Sequence, residues 1–280
     1  CELAEAEDDF EGTSWMLSIG YQFPFGLRPY FTASEQATLI AGQGAEVTTA
    51  NIASGGAFDT SELIEGGVKG SFLDNRLYFA LSAYKQERTD FSAQSIVTNQ
   101  STETEGYEFE TRWQATDRLL LTAGWSHIEV VNLNTLETGF RFSFIGSDDL
   151  PNIEPWRLYG GTLGGNVFRP GESGARRAGM PEDIFTLTGT YDFSDRFAGH
   201  FSLVNAEKVA SSFSGSVELP GYTLLNVGAV YYTDRWQFSA NIKNLTDEEY
   251  FRANFPNLFG GTIVLPELPR HYTATVKYLF

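Results

Sequence analysis

The chain closes on His271-Tyr-Thr-Ala-Thr-Val-Lys-Tyr-Leu-Phe280, ten residues that alternate strictly between two sets of side chains. One set is Tyr272, Ala274, Val276, Tyr278 and Phe280, and the other is His271, Thr273, Thr275, Lys277 and Leu279. A period of two predicts a β-strand. A strand of about ten residues with one apolar and one mainly polar face is typical of a transmembrane β-barrel, in which one face meets lipid and the other a watery lumen.

Ten further segments repeat this alternation along the chain. They cover residues 15–23, 27–39, 64–72, 77–86, 107–114, 119–126, 185–192, 197–203, 225–231 and 236–243. Most charges inside them, such as Glu108, Glu110 and Lys243, fall on the polar face, whereas Glu35 falls on the apolar face of the second segment. The pattern predicts an all-β fold, a transmembrane antiparallel barrel of about eleven strands.

Two kinds of connection alternate between these segments. The short ones are nearly identical: Asp74-Asn75-Arg76, Thr116-Asp117-Arg118, Ser194-Asp195-Arg196 and Thr233-Asp234-Arg235. The long ones are expected at residues 40–61, 90–103, 133–182, 212–220 and 246–268. Short turns at one rim and long loops at the other are the asymmetry of bacterial outer-membrane barrels. Aromatic residues near the short turns predict an interfacial girdle: Phe23, Phe72, Phe193, Tyr231, Trp236 and Phe280.

Composition narrows the class of partner. The formal charge of -17 argues against nucleic acid as a partner, because phosphates require Lys and Arg. It suits either a solvated acidic surface or acidic outer loops that attract cations or metal complexes. A run of 18 apolar residues is absent, so the sequence contains no membrane-spanning helix. Cys1 is the single cysteine, which excludes an intrachain disulfide.

The strand count suggests that the chain is incomplete. Outer-membrane barrels normally hold an even number of strands with both termini on the short-turn side. An open sheet in lipid would leave its edge amides unsatisfied. We therefore expect residues 1–280 to be the C-terminal part of a larger barrel, with the first strands absent. We read Phe140-Arg-Phe-Ser-Phe-Ile145, inside the longest loop, as a loop hairpin above the membrane rather than as a twelfth spanning strand.

Four motifs resemble those of TonB-dependent outer-membrane receptors. They are Asn241-Ile-Lys-Asn-Leu-Thr-Asp-Glu-Glu-Tyr250, the close from Pro269-Arg270 to Phe280, Ser61-Glu-Leu-Ile-Glu-Gly-Gly-Val-Lys69 and Glu105-Gly-Tyr-Glu-Phe-Glu110. The resemblance implies a 22-stranded barrel closed by an N-terminal plug that this sequence lacks. It implies energy-coupled uptake of a bulky nutrient, such as an iron-siderophore, across the outer membrane of a Gram-negative bacterium. The implied partners are outer-membrane lipid, the nutrient, and a periplasmic energy-coupling protein that acts through the plug.

Ligand contacts are expected in the two longest outer loops. The candidates are Phe140, Phe142, Trp156, Arg157, Tyr159, Arg176, Arg177, Phe251, Arg252 and Phe255. Aromatic side chains offer rigid contact area, and arginine can fork onto carboxylate or catecholate oxygens. The alternative for each residue is that the loops pack on one another. The resemblance also implies a signal for barrel assembly in Val276, Tyr278 and Phe280.

The residues do not suggest an enzyme, a cofactor or a metal centre. His127, His200 and His271 lie on three separate segments, and no His/Cys cluster has the spacing of metal ligands. His200 lies beside Ser202, but alternate positions of one strand do not make a hydrogen-bonded dyad, so a lumen-lining histidine is expected. Two other functions remain open: a complete passive channel of about twelve strands, and a soluble surface β-protein with adhesive loops.

Overall fold

The structure is a computed structural model, and it describes residues 7, 9, 11–39, 49–53, 57–92, 98–133, 162–163, 166–167, 176, 179–211, 217–253 and 264–280. In chain order its elements are β1 (Trp15–Gly20), β2 (Leu27–Leu39), α1 (Thr49–Ala53), β3 (Phe58–Phe72), β4 (Leu77–Ser92), β5 (Thr98–Thr116), β6 (Leu119–Asn132), β7 (Thr162–Leu163), β8 (Asn166–Val167), β9 (Asp183–Ser194), β10 (Phe197–Ala206), β11 (Val209–Ser211), β12 (Val217–Leu219), β13 (Tyr222–Tyr232), β14 (Trp236–Lys243), β15 (Phe251–Ala253), β16 (Val264–Pro266) and β17 (His271–Tyr278). Within these ranges, no helix is both long and apolar enough to cross a membrane.

Eleven strands form one antiparallel sheet in the order β1-β2-β3-β4-β5-β6-β9-β10-β13-β14-β17. Each strand pairs with its neighbours in this series, so the sheet is a meander of hairpins. The remaining strands form three two-stranded ribbons: β7-β8, β11-β12 and β15-β16. The eleven predicted strands are therefore confirmed, and β2 has the predicted bounds of 27 and 39.

The strands differ from the prediction mainly at the long-loop end. β3 begins at Phe58, β4 continues to Ser92 and β5 begins at Thr98, so the connections predicted at 40–61 and 90–103 are shorter than expected. Most of the register pairs in these extensions are polar on both faces, a pattern that alternation of hydropathy does not reveal. β1 ends at Gly20 rather than at residue 23. The expected hairpin at 140–145 lies outside the described residues.

The apolar face has a sharp upper boundary. On β4, Leu77, Phe79, Leu81 and Ala83 share this face, and Lys85 follows. Four alternate positions cover roughly eight residues, or about 26 Å of strand. Because barrel strands are tilted, this length corresponds to an apolar band about 20 Å tall along the membrane normal. Leu81 is 46% exposed and Val276 60% exposed in the isolated chain, so the band suits hydrocarbon and not water.

A row of carboxylates marks this boundary on the first half of the sheet. Glu35 pairs with Glu62, Glu62 with Glu87, and Glu87 with Glu103, in the backbone register of neighbouring strands. Like charges that lie directly opposite destabilise a sheet, and charges inside hydrocarbon cost far more. The row therefore lies above the hydrocarbon. This accounts for Glu35, which shares the apolar face but stands at its upper end.

The aromatic residues expected in a girdle collect at the short-turn end. Ring centroids lie 4.9 Å apart for Tyr191–Phe193 and 5.1 Å apart for Phe193–Phe197. Trp236 lies 4.8 Å from Tyr278, whose ring is in turn 5.1 Å from Phe280. Edge-to-face and offset pairs at this spacing are favourable, and amphipathic rings suit the lipid headgroup level.

The repeated Asp-Arg turns link each hairpin to the next. In all four, the arginine carbonyl accepts a backbone N–H from the following hairpin: Gln114 to Arg76, Asp192 to Arg118, Tyr232 to Arg196 and Leu279 to Arg235. Two of the guanidinium groups also reach the aspartate of the next turn. The Arg76 Nη2 to Asp117 Oδ1 distance is 3.1 Å, and the Arg196 Nη2 to Asp234 Oδ1 distance is 3.3 Å. The repeated turn sequence therefore gives a repeated contact at the short-turn rim, in which each turn bonds to the next hairpin along the sheet.

Candidate functional site: the inner wall and the bases of the outer loops

The motif around Glu65, Gly67 and Lys69 places three alternate residues of β3 on the polar, inner face. Gly106, Glu108 and Glu110 of the second motif lie on the same face of β5. Residues two apart share one face of a strand, so the alternate residues of both motifs all face the lumen. The inner faces of β2 to β6 form one wall, which we call the acidic wall after the glutamates at its centre. Arg28, Lys69 and Arg112 lie on the same face.

Glycine at position 67 gives space to an aromatic ring. Tyr30 is the direct register partner of Gly67, and a Cβ there would lie 2.7 Å from Cε1 of that ring. The ring lies across the glycine, and its hydroxyl donates a hydrogen bond to the Glu65 carboxylate. The Lys69 Nζ stands 4.9 Å from the centroid of the same ring, a cation–π contact. One tyrosine thus contacts all three motif residues.

The second motif repeats this arrangement on the next hairpin. Tyr84 is the register partner of Gly106, where a Cβ would lie 2.5 Å from Cζ of its ring. Its hydroxyl lies next to Glu108, and the Tyr78 hydroxyl lies next to Glu110. Three tyrosines therefore lie beside three carboxylates along the acidic wall, and one of them, Tyr30, donates a hydrogen bond to its neighbour Glu65. Rings placed over glycine also stabilise a sheet by covering exposed backbone.

These carboxylates line an open cavity of about 400 Å³. Its charged residues are Glu65, Glu108, Glu110 and Lys69, so three negative charges face one positive charge, a net charge of -2. Hydroxyl groups of Ser82 and Thr186 contribute to the lining. Carboxylates already held in place bind ammonium or guanidinium groups at a low entropic cost. The arrangement is suited to hold a cationic group.

The inner faces of β9 to β17 form a second wall, lined at mid-height by amides, hydroxyls and a histidine. The Asn226 Nδ2 donates to Ser202 Oγ at 3.0 Å, and His200 Nε2 lies 3.0 Å from Asn241 Oδ1. His200 therefore faces the lumen, as expected.

The other two histidines have different surroundings. His127 lies on the outer face, with Nδ1 3.1 Å from Asp183 Oδ2, and His271 Nδ1 donates to the Pro269 carbonyl at 2.9 Å. Across the part of the chain that the structure describes, no cluster of three His, Cys, Asp or Glu residues is arranged to hold a metal ion.

Asn244 locks the base of the last outer loop. It is 3% exposed and adopts a left-handed conformation, with φ of 50°. Its Nδ2 donates to the Glu248 carbonyl at 2.8 Å, and its Oδ1 accepts the Glu248 N–H at 2.8 Å. Asp247 accepts the Arg270 N–H at 2.8 Å across the loop. Asn244 and Asp247 therefore form, with Glu248 and Arg270, a set of hydrogen bonds that joins the two ends of the loop. We call this set the latch.

Three of the ten predicted ligand residues are described by the structure, and two of these are ion-paired. Arg252 contacts Glu267 through Nε and Nη2, a bond that raises the pKa of Arg252 further. Arg176 contacts Glu182 and donates to the Met180 carbonyl at 3.3 Å. Phe251 begins β15 and is partly exposed. A ligand that binds these two arginines would have to displace a carboxylate from each.

The other predicted ligand residues lie outside the described part of the chain. They are Phe140, Phe142, Trp156, Arg157, Tyr159, Arg177 and Phe255. Near Phe251, the Tyr250 ring contacts the Tyr222 ring with centroids 4.8 Å apart, and burial raises the pKa of Tyr250. The residues expected to form the assembly signal, Val276, Tyr278 and Phe280, are exposed at the end of the chain.

Sequence reasoning missed the tyrosines of the acidic wall. It places Tyr30, Tyr78 and Tyr84 in strands but in no site. The available signal is in the glycines, because a glycine inside a strand marks the close approach of another group. Locating that group requires the register between strands, which the sequence does not contain.

Comparison with known proteins identifies the family. The family model described as "TonB dependent receptor-like, beta-barrel" matches residues 4–245. No curated protein matches the chain. Among solved structures, the chain is similar to the siderophore receptor PiuA from Acinetobacter baumannii, with 15% identity, a TM-score of 0.70, and coverage of 95% of this chain and 35% of that one. It is also similar to the ferric-catecholate import receptor Fiu from K12 E. coli, with 17% identity, a TM-score of 0.66, and coverage of 95% and 35%.

A third similar structure is BauA, the ferric preacinetobactin receptor from Acinetobacter baumannii, with 16% identity, a TM-score of 0.63, and coverage of 94% of this chain and 36% of that one. The chain belongs to the TonB-dependent receptor β-barrel family, whose members are transport receptors of the outer membrane. It spans about a third of the length of these structures. Its eleven sheet strands are half the number in a 22-stranded outer-membrane transporter.

Proposed function

We propose that this chain is the C-terminal part of the barrel of an outer-membrane receptor that imports a bulky nutrient, such as an iron-siderophore, with energy coupled through TonB. The observation that carries the proposal is the acidic wall, which presents carboxylates on the inner face of a sheet whose end strands, β1 and β17, do not pair with each other within the described residues. Support comes from the family match and from similar structures whose names are those of siderophore receptors.

In this proposal an N-terminal plug and the first strands of the barrel complete the molecule. β1 and β17 each pair with one neighbour within the described residues, so both have a free backbone edge where further strands would add. A basic surface of the plug meets Glu65, Glu108 and Glu110. The energy-coupling protein in the periplasm acts on the plug, and this chain contributes the wall against which the plug moves.

The experiment is growth of a Gram-negative strain that lacks its own siderophore receptors, under iron limitation, with the full-length protein expressed. The probes are a ferric catecholate, a ferric hydroxamate and ferric citrate. We expect growth on at least one chelate, and loss of that growth when TonB is deleted. Equal growth without TonB would favour a passive channel. A protein that remains soluble without detergent would contradict the proposal.

The acidic wall provides a matched pair of variants. Replacing Glu65 and Glu108 together with Gln removes two charges and keeps the hydrogen-bonding shape. We expect a plug that is held less firmly, and therefore a larger ion leak through the full-length protein in planar bilayers. The control is Glu62→Gln with Glu87→Gln, which removes two charges from the outer face. An equal leak from both pairs would argue against a plug on the acidic wall.

A further inference from the structure

We infer that the inner face of β14 and β17 is an anion-attracting strip, along which a negatively charged metal chelate passes. This inference rests on the proposed transport function and adds the sign of the cargo and the wall it follows. The strip is defined by the four register pairs Lys243–His271, Asn241–Thr273, Ser239–Thr275 and Gln237–Lys277. Every member can form hydrogen bonds, and none is acidic.

The two lysines of the strip lie apart from the carboxylates that the structure describes. The chain has five lysines. Lys85 contacts Glu103 and Glu105, Lys208 contacts Glu218, and Lys69 lies over the Tyr30 ring. Lys243 and Lys277 are the remaining two, and neither has a carboxylate within 4.0 Å among the described residues. Both of these lysines lie on the strip.

The two lysines stand at opposite ends of the wall. Lys243 pairs in register with His271, and Lys277 follows His271 by six residues, so the two lysines are separated by about 20 Å of strand. Between them lie the amide of Asn241 and the hydroxyls of Ser239, Thr273 and Thr275. One cation near the outer loops and one near the short turns would draw an anion through the thickness of the membrane.

The charge of the strip is opposite in sign to the formal charge of the chain. The protein carries a formal charge of -17, and the acidic wall alone has a net charge of -2 at its cavity. A low-dielectric channel focuses the field of its lining charges. The acidic wall carries both signs, because Arg28, Lys69 and Arg112 lie on the same face as its glutamates. The strip carries two uncompensated cations and no acidic residue, so it is a favourable route for an anion.

The strip can be tested by thiol labelling of the full-length protein in outer-membrane vesicles. Cys1→Ser removes the native thiol of this chain. Thr275→Cys then places a thiol on the strip, and Ser82→Cys places one on the acidic wall. The probes are an anionic and a cationic methanethiosulfonate of similar size, at low ionic strength. The measured quantity is the ratio of the anionic to the cationic modification rate.

We expect a ratio that favours the anionic probe at Thr275→Cys and the cationic probe at Ser82→Cys. Replacing Lys243 and Lys277 with Gln should lower the Thr275→Cys ratio by roughly fivefold, because unit charges act over several ångströms of water. The matched control is Lys85→Gln, a lysine of the outer face with two carboxylate partners, which should leave the ratio unchanged.

Two results would overturn the inference. Equal rates for both probes at Thr275→Cys would mean that the lysines set no local potential. Failure of both probes at this site, while a thiol in an outer loop is labelled, would mean that the strip is covered and serves as a docking surface. Labelling needs neither the natural ligand nor energy coupling, so a flat ratio in a protein that supports TonB-dependent growth would refute the strip and leave the receptor proposal intact.

Discussion

The first half of the sheet, β2 to β6, and the second half, β9 to β17, share one outer face and differ in their inner faces. Both present a band of alternate apolar residues outward, with aromatic rings at the short-turn end. Inward, the first half carries glutamates beside tyrosines and basic residues, whereas the second half carries amides, hydroxyls and, on its strip, two lysines and no acidic residue. The common solvent determines the outer face of both halves, because lipid accepts only apolar groups. The inner faces are free to differ, and we attribute that difference to function.

Of the variants compared in the two halves, Asn244→Ala should lower the free energy of unfolding the most. In the second half this buried side chain satisfies both backbone groups of Glu248. Its loss leaves them unpartnered, so we expect the free energy of unfolding to fall by about 2–4 kcal/mol. Urea unfolding of the full-length protein in phospholipid vesicles measures this.

The control for the latch is Asn241→Ala on the preceding strand. Asn241 contacts the His200 side chain and faces the lumen. We expect a loss of under about 1 kcal/mol, since water can replace the lost partner. Equal losses for the two variants would show that the latch has no special role in stability.

The glycines of the two walls should respond differently to an added methyl group. In the first half, Gly67→Ala would place a Cβ 2.6 Å from the Leu81 carbonyl oxygen, which is backbone and cannot move aside. We expect a cost of about 1–3 kcal/mol from overpacking. In the second half, Gly228→Ala would meet the ends of the Asn241 and His200 side chains, at 2.3 and 2.4 Å, which can rotate away.

The expected cost of Gly228→Ala is therefore below about 1 kcal/mol. Thermal unfolding followed by the gel shift between heated and unheated samples compares the two variants in one experiment. If Gly228→Ala were the more harmful change, His200 and Asn241 would be fixed in place, and the second wall would be as rigid as the first.

The smallest effects are expected at the short-turn rim, where the halves should be alike. Double-mutant cycles to Ala at Arg76 and Asp117, and at Arg196 and Asp234, should each give a coupling energy of about 0.2–1 kcal/mol. Both aspartates are almost fully exposed, so added salt should weaken both couplings. A measurable coupling energy in only one of the two ion pairs would contradict the prediction that the short turns of both halves behave alike.

Alternation along the strands is enough to predict the outer face, the strand count and the order of short and long connections. β2 shows this at 27–39, where the prediction and the structure agree. Alternation is not enough at Glu62, Glu87 and Glu103, because both faces of a strand are polar above the membrane and the period vanishes there.

The latch is visible in the sequence as a motif, but its contacts are not. Asn244 donates through Nδ2 to the Glu248 and Leu268 carbonyls, and its backbone N–H donates to Asn226 Oδ1 at 2.9 Å. Leu268 and Asn226 are 24 and 18 residues away along the chain. Such partners become adjacent only when the strands pair, so the motif predicts a turn and not the set of groups that holds it.

The acidic wall is less predictable than the fold. The spacing of Glu65, Gly67 and Lys69 predicts that these residues share a face, and it cannot show that Tyr30 contacts all of them. That contact depends on the register between β2 and β3, which pairs Tyr30 with Gly67. The ligand residues expected in the outer loops rest on chemistry alone. For Arg252, the structure adds a partner, Glu267, that lies 15 residues away in the chain.

The most direct test of a sheet that separates lipid from a watery lumen is spin-label accessibility along β4 in phospholipid vesicles. Cysteines are placed singly from Leu77 to Glu87 of the full-length Cys1→Ser protein. We predict that oxygen, which concentrates in lipid, and a water-soluble nickel complex reach alternate positions from Leu77 to Ala83. From Lys85 onward, the nickel complex should reach both faces. Uniform access of the nickel complex from Leu77 to Ala83, with no period of two, would contradict the separation of lipid from lumen.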